Sequence, residues 1–286
     1  MASSREIRRR IRSVKNTGKI TKAMEMVSAA KMRRAQRNTA ATQPYAERMR
    51  DVLGEVSYRA GQRLAHPLLT QRDNVQRLAL VMITPDRGLC GALVSNVNRS
   101  ASRFILEHRQ AGRTVEVLTV GKKGRDFAAR ARLPLVAEVT GLGDAPALID
   151  ILPIATNVIN GFVEGRFDEV QVVYTAFVNT LVQRSERRRL LPLEAVGERS
   201  GPRLDYTYEP DQEGVLNALL PRFVEVQLYA MILESIASEH SARMLAMRNA
   251  TDNAKELVRD LTLSMNKARQ AAITKELAEI AAGSLR

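Results

Sequence analysis

VQLYAMILESIASEHSARMLAMRNATDNAKELVRDLTLSMNKARQAA, from Val226 to Ala272, contains neither proline nor glycine and repeats its apolar side chains every three or four residues. Twelve of its fourteen heptad positions are apolar, a strong 3.5-residue period. The heptad positions are Val226, Ala230, Leu233, Ala237, His240, Met244, Met247, Thr251, Ala254, Val258, Leu261, Met265, Ala268 and Ala272. One helix over residues 222–286 would be about 95 Å long, more than a globular core of this size. We therefore expect a coiled coil, formed either with the N-terminal helix or within the sleeve of another chain.

The N-terminal segment predicts a second long amphipathic helix, over residues 1–60. Ser3 and Glu6 have the spacing of a capping box, which satisfies two backbone donors at a helix start. The first proline is Pro44. Its expected partner-facing stripe consists of Ile7, Ile11, Val14, Ile20, Met24 and Val27.

Residues 75–195 have a different pattern, in which short apolar runs alternate with helical segments. The predicted strands are Leu78–Ile83, Val115–Val120, Leu135–Val139 and Val170–Phe177, and the predicted helices lie around residues 94–105, 122–131 and 146–162. This alternation indicates a parallel, Rossmann-like α/β domain. A polar linker is expected over residues 196–214, before a C-terminal helix over 215–286.

A Rossmann-like domain raises the question of a nucleotide site, but the motifs do not support one. The turn Thr84–Gly91 is not G-x-G-x-x-G, Gly121–Gly124 has the wrong spacing, and no P-loop motif is present. Gly88 and Gly91 are expected to serve a tight turn and a close approach of helix and strand. The Asp86–Arg87 pair is expected to form a loop cap or a partner contact. The sequence predicts no catalytic constellation and no cofactor.

The three histidines are scattered in sequence and Cys90 is the only cysteine, so neither a disulfide scaffold nor a zinc site is expected. The longest apolar run, Leu78–Ile83, has six residues, far short of the roughly 20 that span a bilayer. A transmembrane helix is therefore not predicted.

Charge is concentrated at the N-terminus. The chain carries a net charge of +13, and residues 1–50 hold fourteen Lys and Arg against three acids. Nucleic acid, an anionic membrane or an acidic protein surface would each complement this segment. Nucleic acid is disfavoured because the basic residues are interleaved with the apolar stripe and residues 1–44 contain no aromatic side chain to stack on bases.

Several segments in order resemble the gamma-subunit family of F-type ATP synthases. The N-terminal segment EIRRRIRSVKNTGKITKAMEMV and the loop DRGLCG are two of them. By position the similar segments are Glu6–Val27, Asp86–Gly91, Tyr206–Asp211, Ser238–Met247, Ala250–Asn253 and Asn266–Thr274. The resemblance covers essentially the whole chain.

The resemblance implies a long antiparallel coiled coil of the N- and C-terminal helices plus a central Rossmann-like α/β domain. It implies a rotor whose coiled coil turns inside a hexamer of alternating alpha and beta subunits. The α/β domain would lie beside the epsilon subunit and a membrane ring of c subunits, on the cytoplasmic face of a bacterial cell membrane. ATP would be made on the beta subunits, and proton flow through the ring would drive rotation.

The resemblance also implies site residues. Contacts with the acidic levers of the beta subunits are expected from Lys31, Arg33, Arg34, Arg87 and Cys90. Coupling roles on the shaft are expected for Met24, Arg243, Gln270, Thr274 and Glu276. Contacts with epsilon and the c-ring are expected from Tyr206, Tyr208 and Glu209. The alternatives are a static coiled-coil adaptor and a basic nucleic-acid-binding protein.

Overall fold

The computed structural model describes residues 4–60, 66–193 and 212–283. Their elements are, in chain order, α1 (Ser4–Ala60), β1 (Arg77–Ile83), α2 (Leu93–Gln110), β2 (Thr114–Val120), α3 (Lys122–Arg130), β3 (Leu135–Val139), α4 (Leu148–Val163), β4 (Glu169–Phe177), β5 (Gln183–Leu191) and α5 (Gln212–Gly283). The α/β coiled-coil class is confirmed. The predicted domain boundaries stay predictions, and most of the predicted linker lies outside the described residues.

The five strands form one sheet in the order β3-β2-β1-β4-β5. β1 pairs in parallel with β2 and with β4, and β2 pairs in parallel with β3. The chain therefore reverses its direction across the sheet between β1 and β4, which is the topological switch point of Rossmann-like folds. The loop Thr84–Gly91, at the carboxyl end of β1, lies at this point.

β5 is the strand that the sequence did not predict, and it pairs antiparallel with β4 at the edge of the sheet. Its sequence, QRSERRRLL, lacks the apolar run of a buried strand. Two of its four arginines lie over aromatic rings: Arg187 over Phe104, and Arg188 over Tyr174. An arginine-rich strand is tolerated here because an edge strand has solvent on one side.

Helices cover both faces of the sheet. On one face, α2 and α3 contribute Val97, Ala101, Phe104, Ile105 and Ala128 to a buried cluster. On the other face, α4 packs with the parts of α1 and α5 that include Ala35, Met49 and residues 216–237. The long terminal helices thus supply part of the core of the α/β domain.

A carboxylate fastens the segment before β1 to the segment before β4. Asp168, whose side chain is 4% exposed, pairs with Arg72 and Arg77 at 2.8 and 3.0 Å. It also accepts hydrogen bonds from the backbone N–H groups of Gln76 and Arg77. Burial opposes its ionisation, but these partners outweigh burial and hold the pKa of Asp168 well below its ordinary range.

By length and composition alone, α5 is apolar enough to cross a membrane over Gly214–Thr274, where an 18-residue window has a mean hydropathy of 1.3. The structure gives this apolar character another explanation. Leu228, Ile232, Leu233 and Ile236 are buried in the protein. They serve the core.

The chain divides into two compact units. Met1–Ala29 and Arg243–Arg286 form the first, called the shaft unit here, and Ala30–Ala242 form the second, the α/β unit. Both α1 and α5 contribute residues to each unit.

Candidate functional site

The shaft unit is a pair of antiparallel helices. A Cβ atom on Gly18 would lie 3.3 Å from the Cβ of Ala254. Thr21 Oγ1 lies 2.8 Å from Thr251 Oγ1. Arg248 Nε donates to Glu25 Oε1 at 3.2 Å. In these three pairs the residue number rises along α1 while that of its partner falls along α5, so the two helices run in opposite directions. Close packing explains a glycine at position 18, because the missing side chain lets the two backbones approach closely.

The seam of this pair is apolar at one end and polar in the middle. Ile7 and Ile11 are buried, and the same four-and-three spacing continues through the buried side chains of Thr21, Glu25 and Ser28. The predicted stripe is therefore wrong at Ile20 and Val27, whose residues are 61% and 53% exposed. Hydrophobicity pointed to these residues, whereas the heptad that starts at Ile7 assigns the seam to their polar neighbours.

Glu25 is the only acidic side chain among the buried residues of the shaft unit that the structure describes. Lys22 lies 3.0 Å and Arg248 3.2 Å from its carboxylate oxygens. The hydrogen bond from Lys22 lowers the pKa of Glu25, burial opposes this, and Arg248 lowers the pKa further, so the net direction is down. Met24, predicted to face the coiled coil, lies beside this seam and is half-buried.

On α5 the predicted coupling residues lie in different surroundings. Arg243 is buried, whereas Gln270 and Thr274 are exposed, and Thr274 Oγ1 donates to the carbonyl of Gln270 at 2.9 Å. Twenty-seven residues of helix separate Arg243 from Gln270, about 40 Å of rise. Nothing is described of the Glu276 side chain. Arg243 and Gln270 therefore lie at two separate places along α5.

The predicted α5 heptad is confirmed over most of its length. Val226, Leu233, Ala237, His240 and Met247 are buried. Further along, the heptad side chains from Ala254 to Ala268 are half-buried and Ala272 is exposed. The period is thus kept while the packing thins toward the C-terminus.

The loop after β1 closes the switch point with its own backbone and side chains. Asp86 accepts hydrogen bonds from the backbone N–H groups of Lys122 and Gly141, each at 2.9 Å. Thr84 Oγ1 accepts one from Gly124 N at 2.7 Å. The predicted loop-cap role of Asp86 fits these contacts, since it ties together the loops that follow β1, β2 and β3.

The close approach predicted for Gly88 and Gly91 occurs at other glycines. A Cβ on Gly88 or Gly91 would meet nothing within 4 Å. By contrast, a Cβ on Gly121 would lie 1.9 Å from the Thr84 carbonyl oxygen, and one on Gly124 would lie 2.8 Å from Thr84 Oγ1. The prediction was wrong because spacing along the sequence does not show which loops touch.

Arg87 and Leu89 are exposed in this loop, and Leu89 has a φ of 62°. Cys90 is buried, with its Sγ 4.0 Å from the Arg87 carbonyl oxygen. Two residues of this loop were predicted to contact a beta lever. The side chain of Arg87 lies at the surface, whereas that of Cys90 is buried beneath the loop.

The three basic residues predicted on α1 divide in the same way. Arg33 and Arg34 are exposed. Lys31 instead pairs with Asp144, whose Oδ2 lies 2.6 Å from its Nζ. The other oxygen of Asp144 lies 2.9 Å from Nε2 of His240, a residue that is 2% exposed.

Asp144 was not singled out from the sequence, because a lone acid in the loop GLGDAP carries no signal. His240 did carry one, as one of two positions that break the apolar heptad. Burial raises the pKa of Asp144, but Lys31 and His240 outweigh it, so the net direction is down.

The predicted contacts with epsilon and the c-ring gain no geometry from the structure. Tyr206, Tyr208 and Glu209 lie outside the described residues. Among the residues that the structure describes, no cluster of three or more His, Cys, Asp or Glu side chains is arranged to hold a metal ion.

Comparison with known proteins covers the whole chain. A family model described as ATP synthase matches residues 3–285. The "ATP synthase gamma chain" of Roseiflexus castenholzii is 66% identical over 284 residues, covering 99% of this chain and 98% of the relative. That of Herpetosiphon aurantiacus is 63% identical over 290 residues, with the same coverage.

Solved structures are similar as well. A chain of the central stalk and c-ring structure of the Tetrahymena thermophila mitochondrial ATP synthase matches 81% of this chain and 99% of its own length, with a TM-score of 0.62 and 27% identity. A chain of the Euglena gracilis mitochondrial ATP synthase covers 99% of this chain and 93% of its own length, with a TM-score of 0.68. At 20% identity, this second likeness shows the fold alone.

Proposed function

This chain belongs to the ATP synthase gamma-chain family, and we propose that it is the rotor of the central stalk of an F-type ATP synthase. The observation that carries the proposal is the antiparallel two-helix shaft, seamed by a heptad, in a chain that matches gamma chains over almost its whole length. In this role the shaft turns inside the head of three alpha and three beta subunits. The α/β domain joins it to the epsilon subunit and the membrane c-ring.

The chain contributes no catalytic group in this proposal. The loops at its Rossmann switch point are tied to one another through Asp86, Thr84, Gly121 and Gly124. Their backbone N–H groups at the start of α3 already have acceptors within the chain. ATP synthesis and hydrolysis are assigned to the beta subunits, and the chain acts as a non-catalytic subunit of the complex.

The location follows from the same assignment. The chain is a peripheral part of a membrane-bound complex, on the cytoplasmic face of a bacterial cell membrane. Ion flow through the c-ring turns the α/β domain, and the two long helices carry the rotation into the head.

The site residues take roles within this mechanism. Arg33, Arg34 and Arg87, which are exposed and cationic, face acidic levers of the beta subunits. Gln270, Thr274 and Glu276 slide against the head near the end of α5. Arg243 acts within the shaft, and Tyr206, Tyr208 and Glu209 contact epsilon and the c-ring. Lys31 and Cys90 act indirectly, because one is paired within the chain and the other is buried.

The proposal is tested by coupling in the complete complex. The chain is assembled with its alpha, beta, epsilon and membrane partners in vesicles, and ATP-driven proton uptake is measured beside ATP hydrolysis. Proton uptake that depends on this chain is expected. Hydrolysis without proton uptake in a fully assembled complex would favour a static adaptor. A chain that does not assemble with these partners, but binds DNA with a steep dependence on salt, would favour the nucleic-acid alternative.

A substitution at Met24 sharpens the test. Met24 lies beside the seam on a basic helix, so Met24→Lys adds a charge where the shaft is proposed to meet the head. Fewer protons pumped per ATP hydrolysed are expected, with assembly retained. Unchanged pumping per ATP would contradict a coupling role for this position.

A further inference from the structure

One carboxylate joins both long helices to the α/β sheet. Asp144 lies in the loop between β3 and α4, and its Oδ2 is 2.6 Å from Lys31 Nζ on α1. Its Oδ1 is 2.9 Å from His240 Nε2 on α5. The three residues, called the Asp144 node here, all belong to the α/β unit.

The loop that carries Asp144 is itself anchored at both ends. Gly141 N donates to Asp86 Oδ2 at 2.9 Å, and Asp86 also holds the start of α3. At the other end, the hydroxyl of Tyr229 donates to the carbonyl of Pro146 at 2.9 Å. The Gly141 end of the loop is therefore tied to a loop of the sheet and the Pro146 end to α5, and the contact of Asp144 with Lys31 adds α1 to the same frame.

The node lies where both helices leave the α/β unit. Lys31 is the second residue of that unit on α1, and His240 is the third from its end on α5. Each helix continues past this point without a break. α1 and α5 are thus the segments of the chain that belong to both units.

Packing alone does not explain a histidine at this heptad position. His240 is buried in a helix whose other heptad positions are nearly all apolar, and an apolar side chain would avoid the cost of burying an imidazole. Buried polar groups in coiled coils commonly fix position and register at some cost in stability. Through its contact with Asp144, His240 fixes the position of α5 against the loop between β3 and α4.

We infer that Asp144 is a positioning residue that locks α1 and α5 to the α/β unit at the point where rotation enters the shaft. The inference rests on the proposed rotor function and assigns one residue the task of keeping the transmission stiff. Lys31 then serves this lock through its charge, and contact with the beta levers is left to Arg33, Arg34 and Arg87.

The test measures torsional stiffness in the assembled complex. The alpha-beta head is held on a surface and stalled with a non-hydrolysable nucleotide, and a bead is attached to the α/β unit through Gln110→Cys, an exposed position. The native cysteine, Cys90, is buried. The angular fluctuations of the bead give the stiffness of the path between the bead and the head.

Asp144→Asn is expected to lower this stiffness, seen as a broader distribution of bead angles. Asp144→Glu keeps the charge and is expected to restore much of it. His240→Leu separates positioning from stability: it returns an apolar residue to the heptad, so the melting temperature should be kept or raised while stiffness falls.

Two matched controls remove a carboxylate without touching the node. Asp252→Asn removes an exposed carboxylate that pairs with Lys255 on α5. Asp168→Asn removes a buried carboxylate that bridges Arg72 and Arg77, both before or within β1. Neither is expected to broaden the distribution of bead angles.

Wild-type stiffness in both Asp144→Asn and His240→Leu would overturn the inference. Equal softening in the Asp168→Asn control would do so as well, because it would show a general loss of stability. Failure of the rotor proposal looks different: the unsubstituted chain would then assemble without turning when MgATP is supplied.

Discussion

Thr21 on α1 and Thr251 on α5 meet through their hydroxyl oxygens, 2.8 Å apart, in the buried seam of the shaft. One hydroxyl donates to the other, and the hydroxyl that accepts can donate to a carbonyl of its own helix, that of Gly18 for Thr21 or that of Met247 for Thr251. The pair therefore sets which residues of two long helices face each other, in a seam where apolar side chains alone would tolerate sliding.

Replacing one member of this pair should weaken the shaft. Thr251→Val leaves the Thr21 hydroxyl without its cross-helix partner, and a loss of about 1 kcal/mol in the free energy of unfolding is expected. The double variant Thr21→Val with Thr251→Val should lose less than the sum of the two single changes, because no hydroxyl is left unpaired. Urea unfolding of the full chain provides the measurement.

Thr262→Val is the matched control for that cycle. Its hydroxyl donates to the carbonyl of Val258 in the same helix and it is partly buried. A smaller loss is expected than for Thr251→Val. Strict additivity of the two seam substitutions would contradict a direct interaction between the threonines.

The buried carboxylate of Glu25 should make the shaft acid-sensitive. Its pKa lies below the ordinary value of 4.5, chiefly through Lys22 and then Arg248. A lowered pKa in the folded state means that the ionised form adds stability above the unfolded pKa, and that this stability is lost as the pH falls through the folded pKa. Glu25→Gln should therefore show a smaller fall in melting temperature between neutral pH and about pH 3.

Glu256, an exposed glutamate of the same unit, supplies the comparison. Glu256→Gln is expected to keep the acid dependence of the unsubstituted chain. Identical acid profiles for the two variants would show that Glu25 is not the group responsible.

The clamp around Asp168 should contribute strongly to the stability of the α/β unit. Asp168→Asn removes the charge from a nearly buried group that binds Arg72, Arg77 and two backbone N–H groups. We expect a loss of about 2 kcal/mol, since hydrogen bonds to charged groups are worth about 1.5–3 kcal/mol. A urea midpoint within error of the unsubstituted chain would contradict this account of the clamp.

Steric contact at Gly121 gives a prediction with an internal control. Gly121→Ala would place a Cβ 1.9 Å from the Thr84 carbonyl oxygen, at a φ of 91°. Gly143→Ala also places an alanine at a positive φ, 71°, but its Cβ would meet nothing within 4 Å. The second should cost about 1 kcal/mol and the first clearly more, as judged by the melting temperature. Equal losses would mean that the loops separate without cost.

Neutralising the exposed arginines of α1 should change binding to the alpha-beta head more than neutralising Lys31 does. The exposed pair Arg33→Gln with Arg34→Gln is expected to weaken binding of the chain to the alpha-beta head and to make that binding less sensitive to salt. Lys31→Gln should leave the salt dependence nearly unchanged, because Lys31 already pairs with Asp144. Binding to the alpha-beta head is titrated at several salt concentrations. A larger loss of salt dependence in Lys31→Gln than in the double arginine variant would contradict these separate roles.

Periodicity predicted the fold well where side chains repeat. The strands β1 to β4 and the heptad of α5 followed from their apolar patterns, because burial selects hydrophobic residues at fixed spacing. β5 was not predicted, because an edge strand can contain arginines in place of an apolar run. Two of them, Arg187 and Arg188, lie on the rings of Phe104 and Tyr174. α5 begins at Gln212, close to the start expected at residue 215, and continues through Pro221.

The candidate site was less predictable, because its key contacts join residues far apart in sequence. No pattern along the chain pairs Asp144 with Lys31 and His240, or Thr84 with Gly121. The polar seam at Thr21 and Glu25 was not predicted for another reason: Ile20 and Val27 are more hydrophobic but lie outside the seam, where they are exposed.

Single-molecule rotation tests the central claim most directly. The chain, carrying Gln110→Cys and a bead, is assembled with its alpha and beta partners on a surface and supplied with MgATP. Continuous turning in one direction is predicted, because the antiparallel shaft must revolve inside the head as the beta subunits hydrolyse ATP in turn. ATP hydrolysis at an undiminished rate with a bead that never completes a turn would contradict the rotor account.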